Sequence, residues 1–221
     1  MSVIDIKKVK QEWVYFLRNS DIFTTTQRGV TTATDTGTFA SDSSHIISVT
    51  NGKNVRSITV AGSLLTYGTD YDVNIDYDNS GTIALRITFN SAQTGDYSIP
   101  YDYGTDKIFP DFPRGEISIS SFPRIGVGIV NVPTDPAGFG GVNVSKIGLT
   151  TVVYDKKVDD VNGYINDIRT AVFNAKSDFY YCGKLVQIIS MGPVITSPFE
   201  QGKNKIVQQN IDVEGWFNYE K

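Results

Sequence analysis

Histidine and cysteine are nearly missing from this chain: His45 and Cys182 are the only ones in 221 residues. A single cysteine excludes an intrachain disulfide and is compatible with a reducing cytoplasm. A single histidine, far from that cysteine in sequence, supports neither a zinc ligand set nor a Cys–His catalytic pair. His45 reads as an exposed or locally hydrogen-bonded strand residue, and Cys182, in YYCGK, as a small buried hydrophobe. No window approaches the ~20 apolar residues that span a bilayer. The opening string MSVIDIKKVKQEWVYFL lacks the apolar core and small-residue cleavage site of a signal peptide. The expectation is a soluble protein, made in the cytoplasm, with no membrane partner. A basic excess is also lacking, since 20 Lys/Arg stand against 24 Asp/Glu. Without a Lys/Arg stripe, duplex binding by counterion release is disfavoured.

What is abundant is aromatic and β-forming. Twelve Tyr and twelve Phe favour strands and buried or interfacial rings. The charge is unevenly spread. Residues 1–33 carry five Lys/Arg against three acids, residues 34–106 three against nine, and residues 107–221 twelve of each. The whole acidic excess lies in the middle block, which marks that block as a separate module.

Residues 145–173 organise the rest. Ile147, Leu149, Thr151 and Val153 share one strand face. After Asp155-Lys156-Lys157, the residues Val161, Tyr164, Ile165, Ile168 and Val172 recur at helical spacing over about 160–176, with Asp159 and Asp160 at the start. A first helix is expected from Ser2, with Ile6, Val9, Trp13, Phe16 and Leu17 on its apolar face. Residues 24–38 read as a Thr-rich linker or edge strand. Residues 39–103 hold five short β-runs at 46–50, 55–61, 71–77, 82–89 and 96–103, with turns between them, including Thr94-Gly95. That spacing suggests a small β-sandwich, marginal alone at this size and helped by insertion in a host domain. Beyond it, 116–121, 123–132, 146–154, 184–191 and 205–217 read as strands, with Gly/Pro-rich loops at 133–141 and 192–202.

The chemical motifs weigh toward plain structural readings. Asp76-Tyr77-Asp78-Asn79-Ser80-Gly81 opens like a calcium loop, but its twelfth position is Ile87 rather than the bidentate Glu, so a hairpin turn is favoured. Gly138-Phe139-Gly140-Gly141 lacks the Lys-Ser/Thr of a phosphate cradle. No carboxylate pair is singled out for glycoside hydrolysis. The expectation is no enzyme, no catalytic residue, no metal and no cofactor.

A family pattern does emerge from the order of elements. A short first helix leads to the strand FPRIGVGIV, then a polar Gly loop, then KIGLTTVVYDK. A single long helix carries Ile168-Arg169, and the last strand pair ends in IDVEGWF. Together these resemble the tail terminator (tail-completion or neck) proteins of long-tailed bacteriophages. LLTYGTDYDV and ITFNSAQTGDYSIPYDYG are similar to Ig-like or appendage repeats of virion proteins. The resemblance covers about 1–30 and 107–221 for the core, and 34–106 for the insert. It implies an α+β fold: a mixed or antiparallel sheet with an N-terminal and a C-terminal-half helix, interrupted by an inserted small β-sandwich. Domains are expected at 1–33 plus 107–221, and at 34–106.

The same resemblance implies a structural virion protein, a homohexameric ring at the head-proximal end of the tail. Such a ring would end tube polymerisation and meet the tail-tube protein and the head-tail connector, while DNA passes its lumen without specific binding. Candidate contact residues lie in the two loops: Pro133, Asp135, Gly138, Phe139, Gly140, Pro193, Pro198, Phe199 and Glu200. The alternative is a decoration or binding module. In that reading Tyr67, Tyr71, Tyr77, Tyr97, Tyr101 and Tyr103 of the β-block would hold a capsid protein or a host-surface glycan by ring stacking, although strand packing explains the same residues.

Overall fold

The computed structural model describes residues 5–79, 82–110, 122–131, 134–136, 143–175, 178–182, 185–201 and 204–219. The chain folds as two compact units, one of Met1–Phe23 with Lys107–Lys221 and one of Thr24–Asp106. Both helices and sheets are present, and the class is α+β.

Helix α1 spans Ile6–Asn19. Its cap is Asp5, which accepts the N–H groups of Lys7 and Lys8 at 3.0 and 3.2 Å. An Asp at this position satisfies two of the amides that a helix start leaves without intrahelical partners. Ser2, the cap read from sequence, lies outside the described residues.

The second unit begins with α2, Thr25–Arg28, a single turn closed by a capping box between Thr24 and Gln27. Then follow β1 (Val30–Ile47), β2 (Gly52–Val55), β3 (Thr59–Val60), β4 (Ser63–Leu64), β5 (Tyr71–Asn79) and β6 (Thr82–Gly104). All six belong to one hydrogen-bonded sheet in which β6 is the hub. The pairing does not by itself give the two layers of the expected sandwich. β6 pairs with β1 from Val30↔Gly104 to Ile47↔Leu85, with breaks of register at Ala40/Asp42 and Asp42/Ser44. The two strands read from 82–89 and 96–103 are therefore one. Gly95, expected in a turn, sits inside β6 at φ 111, a conformation glycine adopts without steric cost, so the ladder runs on past it. β5 and β6 form the hairpin read from 71–89, with Asn79↔Thr82 as the last pair.

The first unit resumes with β7 (Ile108–Phe109), β8 (Arg124–Asn131), β9 (Thr134–Pro136) and β10 (Asn143–Asp155). Helix α3 (Val158–Ala175) and strands β11 (Leu185–Met191), β12 (Ile195–Gln201) and β13 (Asn204–Tyr219) complete it. The strand order is β11-β13-β10-β8-β7, with β12 on β13 and β9 on β10. β10 and β13 form the spine, paired from Asn143↔Tyr219 to Asp155↔Val207. One face of the sheet is closed by the helices. Val9, Trp13, Val14 and Leu17 of α1 and Val161, Ile165, Ile168 and Val172 of α3 join Ile125, Val127, Ile147, Leu149, Val153, Ile211 and Val213 in a single core. Thr151, fully buried on this face, is matched by the Trp13 indole N–H at 2.9 Å. Ile6, read as part of the apolar face of α1, is half exposed.

Candidate functional site

The two expected contact loops are not both loops. Residues 195–201 form β12, which lies along β13 through Ile195↔Gln208, Thr196↔Val207, Ser197↔Ile206 and Gln201↔Asn204. Pro198, Phe199 and Glu200 are therefore strand residues, and Pro193 alone of that set sits in a connection. A proline is tolerated there because the register breaks between Ser197 and Gln201, where the ladder demands no N–H from it. Asp135 is likewise on a strand, opposite Val144 in the β9–β10 pairing. Pro133, Gly138, Phe139 and Gly140 fall outside the described residues.

What the fold does assemble is a sheet with two open edges. Among the described residues β11 is paired only through β13, and β8 is covered on its far side only at Ile125 and Gly126, by the two-residue β7. The Ile125 N–H donates to Lys107 O at 2.9 Å, away from β10. Backbone groups alternate in direction along a strand, so Val127 and Ile129 turn theirs to the same open side. Neither edge carries the usual protection. β11 reads LVQIISM and the open part of β8 reads VGIVN, with no charge and no proline in either.

The sheet face away from the helices is polar and balanced in charge. Asp212 in the middle of β13 accepts the Thr150 hydroxyl at 2.6 Å and the Ser190 hydroxyl at 2.7 Å. Lys146 lies 4.2 Å over the Trp216 ring and 3.9 Å from Glu214. Arg124 lies 3.9 Å over Phe109. A shallow cleft of about 300 Å³ on this unit is lined by Thr150, Val152, Tyr154, Ile195, Gln208, Gln209 and Asn210. It offers hydroxyls and amides, donors and acceptors rather than a nucleophile with its base.

Two buried polar constellations stand elsewhere. In the first unit, Glu12 on α1 accepts the Tyr180 N–H at 2.6 Å and the Cys182 N–H on its other oxygen. Burial pushes this carboxyl above its ordinary range, and the backbone donors oppose the shift. The Cys182 thiol is held well above its ordinary value by burial and by Glu12, which keeps it protonated and unreactive. In the second unit, Arg28 meets Asp102 at 2.8 Å and Asp106 at 2.6 Å, all three buried. Arg56 and Thr32 reach the other Asp102 oxygen at 2.8 and 2.7 Å. Burial alone would lower the Arg28 pKa, but the two carboxylates hold it above its ordinary value. Two carboxylates facing two guanidinium groups and a hydroxyl form a closed ion cluster, which ties structure together rather than receiving a substrate.

His45 sits against Asp35, at 2.6 Å, with the Tyr97 hydroxyl 3.4 Å from the same oxygen. The described tyrosines of the binding alternative are engaged in packing within the unit. Tyr71 is 2% exposed and packs edge-on to Tyr67, Tyr97 stacks on Phe39 at 4.1 Å, and Tyr101 pairs with Tyr103. The side chain of Tyr77 lies outside what the structure describes.

Among the described residues no group of three or more His, Cys, Asp and Glu is placed to hold a metal ion. No helix among them is long and apolar enough to cross a membrane. The chain matches no protein-family model and no curated protein.

Proposed function

We propose that this protein is a ring-forming structural subunit of the phage tail-terminator kind. One observation supports it most: among the described residues its main sheet has two open, uncharged edges that run in opposite directions. β8 runs antiparallel to β10, β10 to β13, and β13 to β11, so β8 and β11 point in opposite directions. When a second copy is set beside the first by rotation about an axis along the strands, its β8 meets β11 of the first. They meet antiparallel, with the helix-covered faces on the same side. Contacts of this head-to-tail kind form a ring when the rotation closes. An uncharged, unprotected edge is an aggregation hazard on a monomer and is tolerable when a neighbour covers it.

In this reading the ring, six copies by the resemblance, stops tube growth and joins tail tube to head connector. A sheet face with balanced charge suits a passage through which DNA slides without being held. Mass photometry and electron micrographs of the purified protein, alone and with tube protein, provide the test. The expected result is a closed ring. Ser190→Lys places a cation on β11 at the cost of one exposed hydroxyl bond to Asp212, and the expected outcome is folded monomers with the far-UV circular dichroism of the wild type. A wild-type protein that stays monomeric at high concentration, with and without tube protein, would sink the proposal.

A further inference from the structure

The second unit has an open edge of a different character. β1 is paired with β6 on one side, and among the described residues no strand lies on the other. The pairing pattern reveals which backbone groups face outward. Gly104 N–H donates to Asn51, Pro100 O accepts from Arg56 N–H, and Asp96 O accepts from Ala61 N–H, so these three β6 residues turn away from β1. Their partners across the ladder are Val30, Thr34 and Thr38. In an antiparallel pair, residues opposite each other either exchange hydrogen bonds or both turn away. Val30, Thr34 and Thr38 therefore direct N–H and C=O to the open side, and by alternation so do Thr32 and Thr36. At the far end the Asp42 carboxylate accepts the Ala40 N–H at 2.8 Å, which closes the outward row at that point. The four threonines are exposed.

The charge along this edge selects what fits it. β1 contains Asp35 and Asp42 and no Lys or Arg, its one histidine, His45, lies against Asp35, and Asp96 on β6 stands beside Thr38, bonded to its hydroxyl at 2.6 Å. From Thr24 to Asp106 there are nine acids and four Lys/Arg; Arg28 and Arg56 pair with Asp102 and Asp106 in the buried cluster, which leaves seven acids against two Lys/Arg. A second copy would bring like charge to like and is repelled; a cationic strand is attracted.

We propose that the outward edge of β1 is a strand-addition site for an extended basic segment of a partner protein. Thr32, Thr34, Thr36 and Thr38 supply the backbone hydrogen bonds, and Asp35 on one face of the sheet and Asp96 on the other favour Lys or Arg on the facing side of the guest strand. This site belongs to the second unit and stands or falls independently of ring formation by the first.

The test uses the full chain and a labelled synthetic peptide of alternating Lys and Thr, with an alternating Glu and Thr peptide as control. Fluorescence anisotropy reports binding, and hydrogen exchange reports where it occurs. The Lys/Thr peptide is expected to bind more tightly by about tenfold or more than the Glu/Thr peptide, and to slow exchange at Thr32, Thr34, Thr36 and Thr38. Thr36→Pro removes one outward N–H while leaving the ladder to β6 intact, and is expected to weaken binding about tenfold with melting unchanged. Absence of peptide binding would overturn the proposal. So would binding that leaves those four amides unprotected, or an unaltered affinity in Thr36→Pro. Self-association abolished by Thr36→Pro would assign the edge to a second copy and equally overturn it.

Discussion

The two units solve the same problem, holding a β-sheet in one conformation, with and without helices to cover it. The first lays two amphipathic helices on one face and buries an almost wholly apolar core, with Trp13–Thr151 and Glu12 as its polar insertions. The second has only the four-residue α2; its strands bury Val55, Ile58, Leu85, Ile87 and Ile99, and the long ladder between β1 and β6 is tied at its Val30–Gly104 end by the Arg28 cluster. Where helices cover a sheet, apolar transfer between helix and strand supplies stability. Where they do not, the strands bury apolar residues of their own and a buried ion cluster fixes one end of the ladder.

The contrast can be broken most forcefully at Trp13. Trp13→Ala empties the centre of the helix–sheet core and strands the Thr151 hydroxyl, so a loss of about 5 kcal/mol is expected in denaturant unfolding of the first unit. Hydrogen exchange in β1 and β6 should be unchanged; faster exchange there would show that the units do not stand on separate cores. Arg28→Ala is the reciprocal change. It leaves Asp106 buried without its cation and is expected to cost about 3–5 kcal/mol, read as loss of amide protection in β1 and β6 with α1 unaffected. High salt should leave that cost largely in place, because buried pairs are poorly screened.

A smaller, pH-dependent effect should distinguish the units. Glu12 has a folded-state pKa above its ordinary value of 4.5. A carboxyl raised in this way contributes fully below its unfolded pKa, and the contribution is lost as pH rises through the folded one. Glu12→Gln should therefore cost about 1–3 kcal/mol in acid, through amides left poorly matched, and the cost should shrink as pH rises. Paired urea titrations at several pH values check this, and a gap that widens with pH would contradict the burial argument. Smallest is Gly37→Ala. Its Cβ would come within 2.8 Å of the Tyr97 hydroxyl and 3.0 Å of its ring, displacing the stack on Phe39 at about 1 kcal/mol, seen as a small shift in melting.

The parts legible from sequence are those whose signal is local and periodic. Val9, Trp13 and Leu17, and Val161, Ile165, Ile168 and Val172, recur at helical spacing and are all buried. Glycine and proline misled where pairing overrode local preference: Gly95 lies within β6, and Pro198 within β12. The Arg28 cluster left no trace, because its partners are 74 and 78 residues away and their charges are common surface residues in sequence. The same holds for the edges of β8, β11 and β1. A run of β-forming residues does not say which of its sides another strand will fill. Thr32, Thr34, Thr36 and Thr38 were visible as a Thr-rich edge or linker, but the direction of their amides appears only through the partners of β6.

One detail of the second unit has a consequence for lineage. Gly104, at φ 133, brings β6 so close to β1 that a Cβ there would sit 2.6 Å from Gly29 O, and Thr105 N–H closes the gap to that same oxygen at 3.1 Å. The module thus leaves its host where it was entered, with both chain ends pinned side by side by its own bonds. Loop-closure entropy grows only slowly with the length enclosed, so a host that accommodates this junction accommodates almost any module with the same ends. The segment is portable, and related chains can be expected to carry a different module, or none, at the point where Phe23 and Lys107 meet it.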